Sequence, residues 1–401
     1  MTSPRDESRT GINSSSTRLH RILVVFGTRP EAIKLCPLVK LLRQSHSSEI
    51  ETIVCVTGQH REMLDQVLAA FDVQPDYDLA LMRPEQSLTG LSSQLLGALE
   101  SVLGEVKPSI TVVQGDTTTT FCAALASFYA RVPVAHVEAG LRTGDPAEPF
   151  PEEMNRVLTT RLAALHFAAT EAAACNLTAE GVAKDSIYVT GNPGIDAVLQ
   201  IKEALGQGRL SGLELPEENG RKTIVVTAHR RESFGPDLRE ICNAIGVLAE
   251  REDLRIVWPV HPNPNVRSVV DATLRGRCNV LLLEPLDYVP FVDLMRRAYL
   301  LITDSGGIQE EGPSLGKPVL VLRNKTERPE AVHAGTATLT GTNRDSIVRE
   351  ALRLIEDQGA YEAMARVHNP YGDGRASERI AGHLRAYLIE QISRKGNKDR
   401  R

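Results

Sequence analysis

The sequence predicts an α/β protein built from two doubly wound parallel-sheet domains that face a central cleft. Short runs rich in Val, Ile and Leu alternate with helix-compatible segments, which is the pattern of βαβ units and parallel sheets. The alternation continues to about residue 190, is interrupted by the charged, Gly-containing stretch 201–221, and then restarts. At 401 residues with 42% hydrophobic content, the chain is long enough to form two cores.

The predicted strands fall into two series with predicted helices between them. The first series is Ile22–Phe26, Thr52–Val56, Ile110–Val113, Val132–Val137, Leu165–Ala169 and Ile187–Thr190, and the second is Thr223–Thr227, Arg255–Val260, Val280–Leu283, Tyr299–Thr303 and Val319–Leu322. Helical segments of the first series include Pro37–Gln44, Glu62–Phe71, Leu91–Glu100 and Thr120–Arg131. Ligands of open parallel sheets bind beyond the carboxyl ends of the strands, so we expect the functional residues of both domains there.

Composition argues against nucleic-acid and membrane partners. The net charge is -5, and an aromatic content of 4% leaves few platforms for stacked bases. No apolar run reaches membrane-spanning length, and residues 1–19 lack the apolar core of a signal peptide. The six cysteines are scattered without a CxxC pair. We therefore expect a soluble, cytoplasmic protein with free thiols, a disordered tail at 1–19 and a basic tail at 394–401.

An acid-rich segment, His136–Arg156, follows the predicted strand Val132–Val137. Its carboxylates are Glu138, Asp145, Glu148, Glu152 and Glu153, and its glycines and prolines are Gly140, Gly144, Pro146, Pro149 and Pro151. Glycine and proline at this density argue against a regular helix, so the segment is predicted to be a loop. Acidic loops at strand ends are a frequent location for proton transfer. The alternative is a solvated surface loop.

The end of the first strand, Phe26–Lys34, has the composition of an anion site. Gly27 allows a tight turn, and Pro30 suits the first turn of a following helix. Arg29 and Lys34 then stand near a positively polarised helix N-terminus. The run is not GxGxxG, so no nicotinamide cofactor is indicated. Surface charges are the alternative reading of the two cations.

Three further strand ends carry polar groups. Asp116 follows the third strand in a Gln-Gly-Asp-Thr run and is either a cleft acid or the N-cap of the next helix. His229 follows a strand of the second series beside two arginines, which suits a ligand phosphate. His261 lies in a Pro-rich turn and is equally well explained as structural.

The sharpest local pattern is the run Thr303–Glu311, in which a strand leads through Ser305, Gly306 and Gly307 into a helix. Glycines expose backbone N–H groups, and together with the helix dipole these can hold a diphosphate. A glutamate in the first turns of that helix, Glu310 or Glu311, would be placed to accept from ribose hydroxyls.

Taken together, the motifs match a known family. GTRPEAIK, TGQH, QGDTTTT, HVEAGLRTGD, PEEMNR, TGN, HRRE, VHPNPNV, DSGGIQEEGPSLGKPVLVLR and ERPE occur in this order from residue 27 to about residue 330. The chain strongly resembles the non-hydrolysing UDP-N-acetylglucosamine 2-epimerases. The resemblance covers all but the ends of the chain and departs at Gly191–Gly194, where a Pro-Gly stands in place of the expected Thr and apolar residue.

The resemblance implies a GT-B architecture, with two Rossmann-like domains at 20–190 and 191–375 and a C-terminal helix, 376–393, that packs back on the first. It also implies interconversion of UDP-N-acetylglucosamine and UDP-N-acetylmannosamine, without metal or nicotinamide, by a homodimer. The family reaction proceeds by anti elimination of UDP, which gives 2-acetamidoglucal, and UDP then adds back. This chemistry needs acid and base groups at one carbon and cations at the departing diphosphate.

Site residues can be carried over from the family motif by motif. The resemblance implies catalytic roles for Asp116, Glu138, Glu152 and His229, and substrate contacts from Arg29, Lys34, Arg156, Ser305, Gly306, Gly307 and Glu311. It also implies a second, activating molecule of UDP-N-acetylglucosamine near Gln59, His60 and His261.

Four alternatives remain at this point. A hydrolysing 2-epimerase shares the first chemical step but releases free N-acetylmannosamine, and a related epimerase acts on a UDP-diacetamido uronic acid. A GT-B glycosyltransferase or a non-catalytic UDP-sugar sensor would bind the same nucleotide. Neither of these last two needs three carboxylates together, so the sequence favours an epimerase.

Overall fold

The computed structural model describes residues 19–58, 61–81, 83, 86–216, 220–230, 234–366 and 368–398. Within these ranges the strands are β1 (His20–Phe26), β2 (Ile50–Val56), β3 (Tyr77–Asp78), β4 (Ile110–Gln114), β5 (Val134–Ala139), β6 (Leu165–Ala168), β7 (Ile187–Val189), β8 (Lys222–Thr227), β9 (Leu254–Pro259), β10 (Val280–Leu283), β11 (Leu300–Thr303), β12 (Val319–Val321) and β13 (Ala337–Leu339). They form two parallel sheets with the orders β3-β2-β1-β4-β5-β6-β7 and β10-β9-β8-β11-β12-β13.

Each sheet reverses its strand order beside its first strand. β1 lies between β2 and β4, and β8 lies between β9 and β11. Such switch points leave a crevice at the carboxyl ends of the strands, where ligands of doubly wound sheets bind. The predicted fold class is therefore confirmed.

The helices in the described residues occupy the connections between strands. They are α1 (Arg29–Ser45), α2 (Arg61–Phe71), α3 (Leu88–Val106), α4 (Thr118–Tyr129), α5 (Glu152–Leu162), α6 (Glu171–Ala179), α7 (Pro193–Gly206), α8 (Pro236–Leu248), α9 (Pro264–Leu274), α10 (Tyr288–Arg297), α11 (Gly306–Ser314), α12 (Pro329–His333), α13 (Arg344–Glu356), α14 (Gln358–Ala365) and α15 (Ala376–Lys398), with one turn of 3₁₀ helix at Lys184–Ser186. None of these helices is long and apolar enough to cross a membrane.

Every predicted strand is present to within a few residues, but the acidic segment differs from its prediction. Glu138 belongs to β5, and α5 begins at Glu152, so the loop prediction is wrong at both ends. Pro151 occupies the N-cap, and the carboxylates Glu152 and Glu153 then lie in the first turn, where the helix dipole favours negative charge. The stretch 201–221 that separates the two series of strands begins inside α7.

The layer of α1 is completed by the C-terminal helix α15. Leu38 and Leu42 of α1 share a buried core with Ile380 and Leu384 of α15. Asp196 of α7 accepts the backbone N–H groups of Ala376 and Ser377 at 3.1 and 2.7 Å, which fixes the start of α15. The domain limits given above stay a prediction. The last helix begins at the predicted residue, Ala376, but runs to Lys398, past its predicted end at residue 393. All six cysteines lie in the described ranges and are free thiols.

Candidate active site

The first wall of the cleft is formed by the strand ends of the first sheet, and Glu138 is its most constrained residue. Its backbone φ is +62°, a left-handed conformation that residues other than glycine seldom adopt. The pairing of β5 with β6 shifts register between Val137 and Ala139, so Glu138 occupies a bulge. Such a conformation costs roughly 1–3 kcal/mol and persists only where the surroundings hold it.

The carboxylate of Glu138 is held by two side chains from neighbouring elements. Lys34 Nζ lies 2.6 Å from both carboxylate oxygens, and Gln114 Nε2 donates to one of them. Only 19% of the Lys34 side chain and 8% of the Glu138 side chain are exposed. Burial opposes the charge on both groups, but their contact favours it. Glu138 raises the pKa of Lys34, and Lys34 lowers the pKa of Glu138. Glu138 is therefore an oriented carboxylate that stays ionised.

Asp116 lies one strand away and is not a helix cap. Thr117 caps α4 through its bond from Thr120 N, which frees the Asp116 carboxylate for the cleft. Arg156 Nη2 approaches that carboxylate at 3.0 Å, and 30% of the Asp116 side chain is exposed. Burial raises the pKa of Asp116 to about 6 although Arg156 lowers it, and the charges of Glu138 and Glu152 raise it further. Asp116 can therefore gain or lose a proton near neutral pH.

Glu31 connects the turn that carries Arg29 and Lys34 with the turn that carries Asp116. Its buried carboxylate accepts the N–H groups of Gly27 and Thr28 at 2.9 and 2.7 Å. The other oxygen accepts the hydroxyls of Thr117 and Thr120 at 2.7 and 3.0 Å. Gly27 is required here, because an added Cβ would lie 2.1 Å from Thr57 Oγ1. The cation end of α1 is thus fixed relative to the acid end of β4.

The second wall is formed by the second sheet, and His229 at the end of β8 is oriented by Asp304. The fully buried Asp304 accepts the backbone N–H groups of His229 and Arg230 at 2.7 and 2.8 Å. Its other oxygen lies 3.0 Å from His229 Nδ1. Because Nδ1 faces Asp304, Nε2 is the ring nitrogen left for a ligand. The ring of His261 stacks on that of His229 with centroids 5.9 Å apart.

The N-terminus of α11 has no side-chain cap. The hydroxyl of the N-cap residue Ser305 makes no capping bond, so the first N–H groups of the helix are available to an anion. The two glycines that follow differ. A Cβ on Gly306 would lie 2.7 Å from Arg328 Cζ, whereas a Cβ on Gly307 would meet nothing closer than Ser305 Oγ at 3.9 Å. Gly306 makes room for Arg328, and Gly307 is open.

A cavity of about 540 Å³ lies between the two walls. Its lining includes the predicted residues Arg29, Lys34, His229, His261, Ser305, Gly307 and Glu311, together with Tyr288 and Phe291. Burial raises the pKa of Glu311 to about 8, and the nearby Glu310 adds to this effect. Five predicted residues of the described ranges lie outside this lining: Asp116, Glu138, Glu152, Arg156 and Gly306. Glu138 lines a second cavity of about 390 Å³, together with Asn192, Glu310 and Arg328.

The structure adds two residues that the sequence did not point to, Arg328 and Asn192, and both contact Glu310. Arg328 pairs with Glu310 at 2.8 Å, and Asn192 Nδ2 donates to Glu310 at 2.8 Å. Arg328 belongs to the ERPE motif and Asn192 to the TGN motif, so the motifs were the signal, although neither motif shows that its residue contacts Glu310. Gln59 and His60 lie outside the described residues.

The comparisons with known proteins agree with this arrangement. The family model described as UDP-N-acetylglucosamine 2-epimerase matches residues 43–385. The UDP-N-acetylglucosamine 2-epimerase of Escherichia coli (strain K12) is 52% identical over 371 residues, which are 91% of this chain and 98% of the relative. The Yersinia pestis protein of the same name is 52% identical over 375 residues, 92% of this chain and 99% of the relative.

Solved structures give the same result. The UDP-GlcNAc 2-epimerase from Neisseria meningitidis bound to UDP-GlcNAc superposes with a TM-score of 0.81 at 46% identity, covering 91% of this chain and 99% of that one. The Methanocaldococcus jannaschii UDP-GlcNAc 2-epimerase in complex with UDP-GlcNAc and UDP superposes with a TM-score of 0.74 at 32% identity, with the same coverage. The chain therefore belongs to the UDP-N-acetylglucosamine 2-epimerase family.

Proposed function

We propose that the protein interconverts UDP-N-acetylglucosamine and UDP-N-acetylmannosamine as a non-hydrolysing 2-epimerase. The observation that carries the proposal is the opposition of the two walls. An oriented, ionised Glu138 and a titratable Asp116 stand on one side, and the uncapped N-terminus of α11 stands with His229 on the other. Proton transfer and diphosphate departure need these two kinds of group.

In the proposed first step, a carboxylate of the first wall removes the proton from C2 of the sugar. The electron pair of that C–H bond forms the C1=C2 double bond, and the C1–O bond breaks with release of UDP. Asp116, Glu138 and Glu152 are the proposed acid and base groups. A neighbouring pair with one low and one raised pKa suits the two opposite proton-transfer roles.

The departing diphosphate is stabilised in this proposal by the second wall and by α1. Ser305, Gly306 and Gly307 offer N–H groups, His229 offers Nε2, and Arg29 adds charge from across the cavity. Glu311 is the proposed partner of the ribose hydroxyls. In the second step UDP adds back to C1 of the retained 2-acetamidoglucal while a proton reaches the other face of C2.

Proton NMR of the purified protein with UDP-N-acetylglucosamine in deuterated water tests the proposal. We expect UDP-N-acetylmannosamine to appear and deuterium to enter C2 of both sugar nucleotides. Free N-acetylmannosamine with an equal amount of UDP would show a hydrolysing enzyme instead. Unchanged substrate would contradict an epimerase of either kind.

Regulation by a second substrate molecule is part of the proposal. His261 stacks on His229 at the edge of the cavity, where it could contact both a bound diphosphate and a neighbouring nucleotide. We expect a sigmoidal dependence of rate on UDP-N-acetylglucosamine, and a stimulation by it of the reverse reaction. A hyperbolic curve with no stimulation would contradict the regulation and leave the epimerase proposal standing.

We also propose a homodimer that uses the exposed apolar side chains of α4 and α5. Phe128 and Tyr129 are 58% and 70% exposed, and Met154 and Leu158 of the adjacent helix are 37% and 39% exposed. Exposed apolar side chains on adjacent helices are a candidate association surface. Light scattering after gel filtration tests this, and a monomer at micromolar concentration would contradict it.

A cytoplasmic location and use of the product in cell-surface polysaccharide stay predictions.

A further inference from the structure

Asn192 lies where the chain passes from the first sheet to the second, and it is 1% exposed. Its backbone N–H donates to Tyr371 O at 2.7 Å, in the segment where the chain crosses back. The two crossings touch closely, because a Cβ on Gly191 would lie 3.4 Å from Gly372 Cα. Asn192 is thus held at the junction of both halves of the molecule.

The side-chain amide of Asn192 has a defined orientation. Its Oδ1 accepts the backbone N–H of Gly194 at 2.9 Å, where Asn192 is the N-cap of α7. Since a backbone N–H can be met only by the oxygen, Nδ2 must face the other way. There it donates to Glu310 Oε2 at 2.8 Å and lies 3.5 Å from Glu138 Oε1.

One neutral amide therefore stands between two buried carboxylates from opposite walls. Each carboxylate has its own cation in contact, Lys34 for Glu138 and Arg328 for Glu310. Without the Asn192 amide as a donor between them, the two negatively charged carboxylates would repel each other and move apart. The result is a continuous line of contacts from the α1 cation, through Glu138 and Asn192, to the Glu310–Arg328 pair beside the start of α11.

We propose that Asn192 is a positioning residue for the epimerisation, which holds Glu138 in register with the nucleotide-binding wall. This inference rests on the function proposed above. A misplacement of a reacting group by about 1 Å can cost on the order of 100-fold in rate, and Asn192 is the group that sets the distance between the two walls at Glu138.

If the role of Asn192 were confined to capping α7, substitutions that keep the cap would leave kcat unchanged. Asp and Ser cap helices about as well as Asn, so Asn192→Asp and Asn192→Ser keep the cap on α7. Both remove the donor towards the carboxylates, and only the Asp variant adds charge. Asn343, the exposed N-cap of α13, accepts from Ser346 N at 3.1 Å and provides the matched control for both substitutions.

The experiment measures kcat, KM, UDP affinity and thermal midpoint for the wild type and the four variants. For Asn192→Ser we expect kcat to fall about 10- to 100-fold, with UDP affinity and midpoint within the range of the Asn343 variants. In Asn192→Asp, kcat should fall further than in Asn192→Ser. The low-pH limb of kcat should move to higher pH in Asn192→Ser, because a lost hydrogen bond to the ionised form raises the pKa of Glu138.

Wild-type kcat in Asn192→Ser would overturn the inference. So would a loss of kcat that is matched by an equal loss of UDP affinity and midpoint, since that is the result of a purely structural role. An inactive wild-type enzyme in the same assay would instead contradict the proposed function.

Discussion

Two glutamates of the cleft, one on each wall, have opposite electrostatic environments. Glu138 on the first wall is in contact with Lys34 at 2.6 Å, and this cation lowers its pKa against the effect of burial. Glu311 on the second wall has Arg29 and Lys34 only at longer range. Burial and the charge of Glu310 therefore raise its pKa to about 8.

The difference shows that burial alone does not set the state of a carboxyl group in this cleft. A cation in direct contact keeps Glu138 ionised and fixed, as proton transfer requires. Without such a contact Glu311 is largely protonated at neutral pH, so it can donate a hydrogen bond as well as accept one. The first wall therefore suits chemistry and the second suits binding.

The largest expected effect comes from the two isosteric substitutions compared side by side. Glu138→Gln should lower kcat about 1,000-fold, because the proposed acid–base group is lost, while Glu311→Gln should lower it less than about 10-fold. UDP affinity, measured by calorimetry, should change less than about threefold in Glu138→Gln. Similar losses of kcat in both variants would contradict the division between the walls.

A stability control is needed because Glu138→Gln leaves the buried Lys34 without its partner, and such a residual charge is destabilising. The double variant Lys34→Met/Glu138→Gln should recover most of the lost thermal midpoint. It should not recover turnover. Recovered turnover would show that the single variant failed through folding.

An intermediate effect is expected from the paired glycines at the start of α11. Gly306→Ala should lower kcat/KM about 10- to 100-fold, since the added methyl displaces the Arg328 guanidinium from Glu310. Gly307→Ala has room for the methyl and should remain within about threefold of the wild type. Steady-state kinetics on both variants checks this. An equal loss in Gly307→Ala would show that the ligand itself occupies the open space.

The smallest effect is on stability as a function of pH. The folded protein keeps the Glu311 proton up to about pH 8, whereas the unfolded chain releases it near the ordinary value of 4.5. The contribution of this group is thus fully present below pH 4.5 and is lost as the pH rises through 8. The melting midpoint of Glu311→Gln minus that of the wild type should therefore increase by about 2 °C or more when the pH is raised from 5 to 8.5.

The exposed Glu250→Gln is the control for that series, and its midpoint should follow the wild type at every pH. A Glu311→Gln midpoint that also follows the wild type would mean that Glu311 is ionised throughout, like Glu138. The contrast between the two glutamates would then be lost.

The sequence was sufficient for the two sheets and insufficient for the contacts between them. β-branched runs bounded by Gly and Pro identified eleven strands, because hydrophobic pattern alone selects buried parallel strands. The strands it missed, Tyr77–Asp78 and Ala337–Leu339, are too short to show a pattern and are ordered by their neighbours at the sheet edges. The start of α5 was missed because Pro151 reads as a breaker when it is in fact an N-terminal residue.

The site was predictable where one continuous segment contains both the functional residue and the strand end or helix start that positions it. Ser305, Gly306 and Gly307 follow their strand directly, so the uncapped helix start could be foreseen. Asn192 and Arg328 could not, because they meet Glu310 across separations of 118 and 18 residues that no local pattern spans. The left-handed backbone of Glu138 likewise depends on a register shift that no local pattern reveals.

The packing of α15 on α1 has a consequence for the order of synthesis. α1 is made among the first of the described elements, but α15, whose apolar residues share its buried core, is made only after all the strands described above. The nascent chain therefore exposes an apolar strip for most of its synthesis, a surface that chaperones recognise. We expect ribosome-bound chains ending before Ala376 to be cleaved in α1 by added protease and full-length chains to resist, and equal resistance would contradict this.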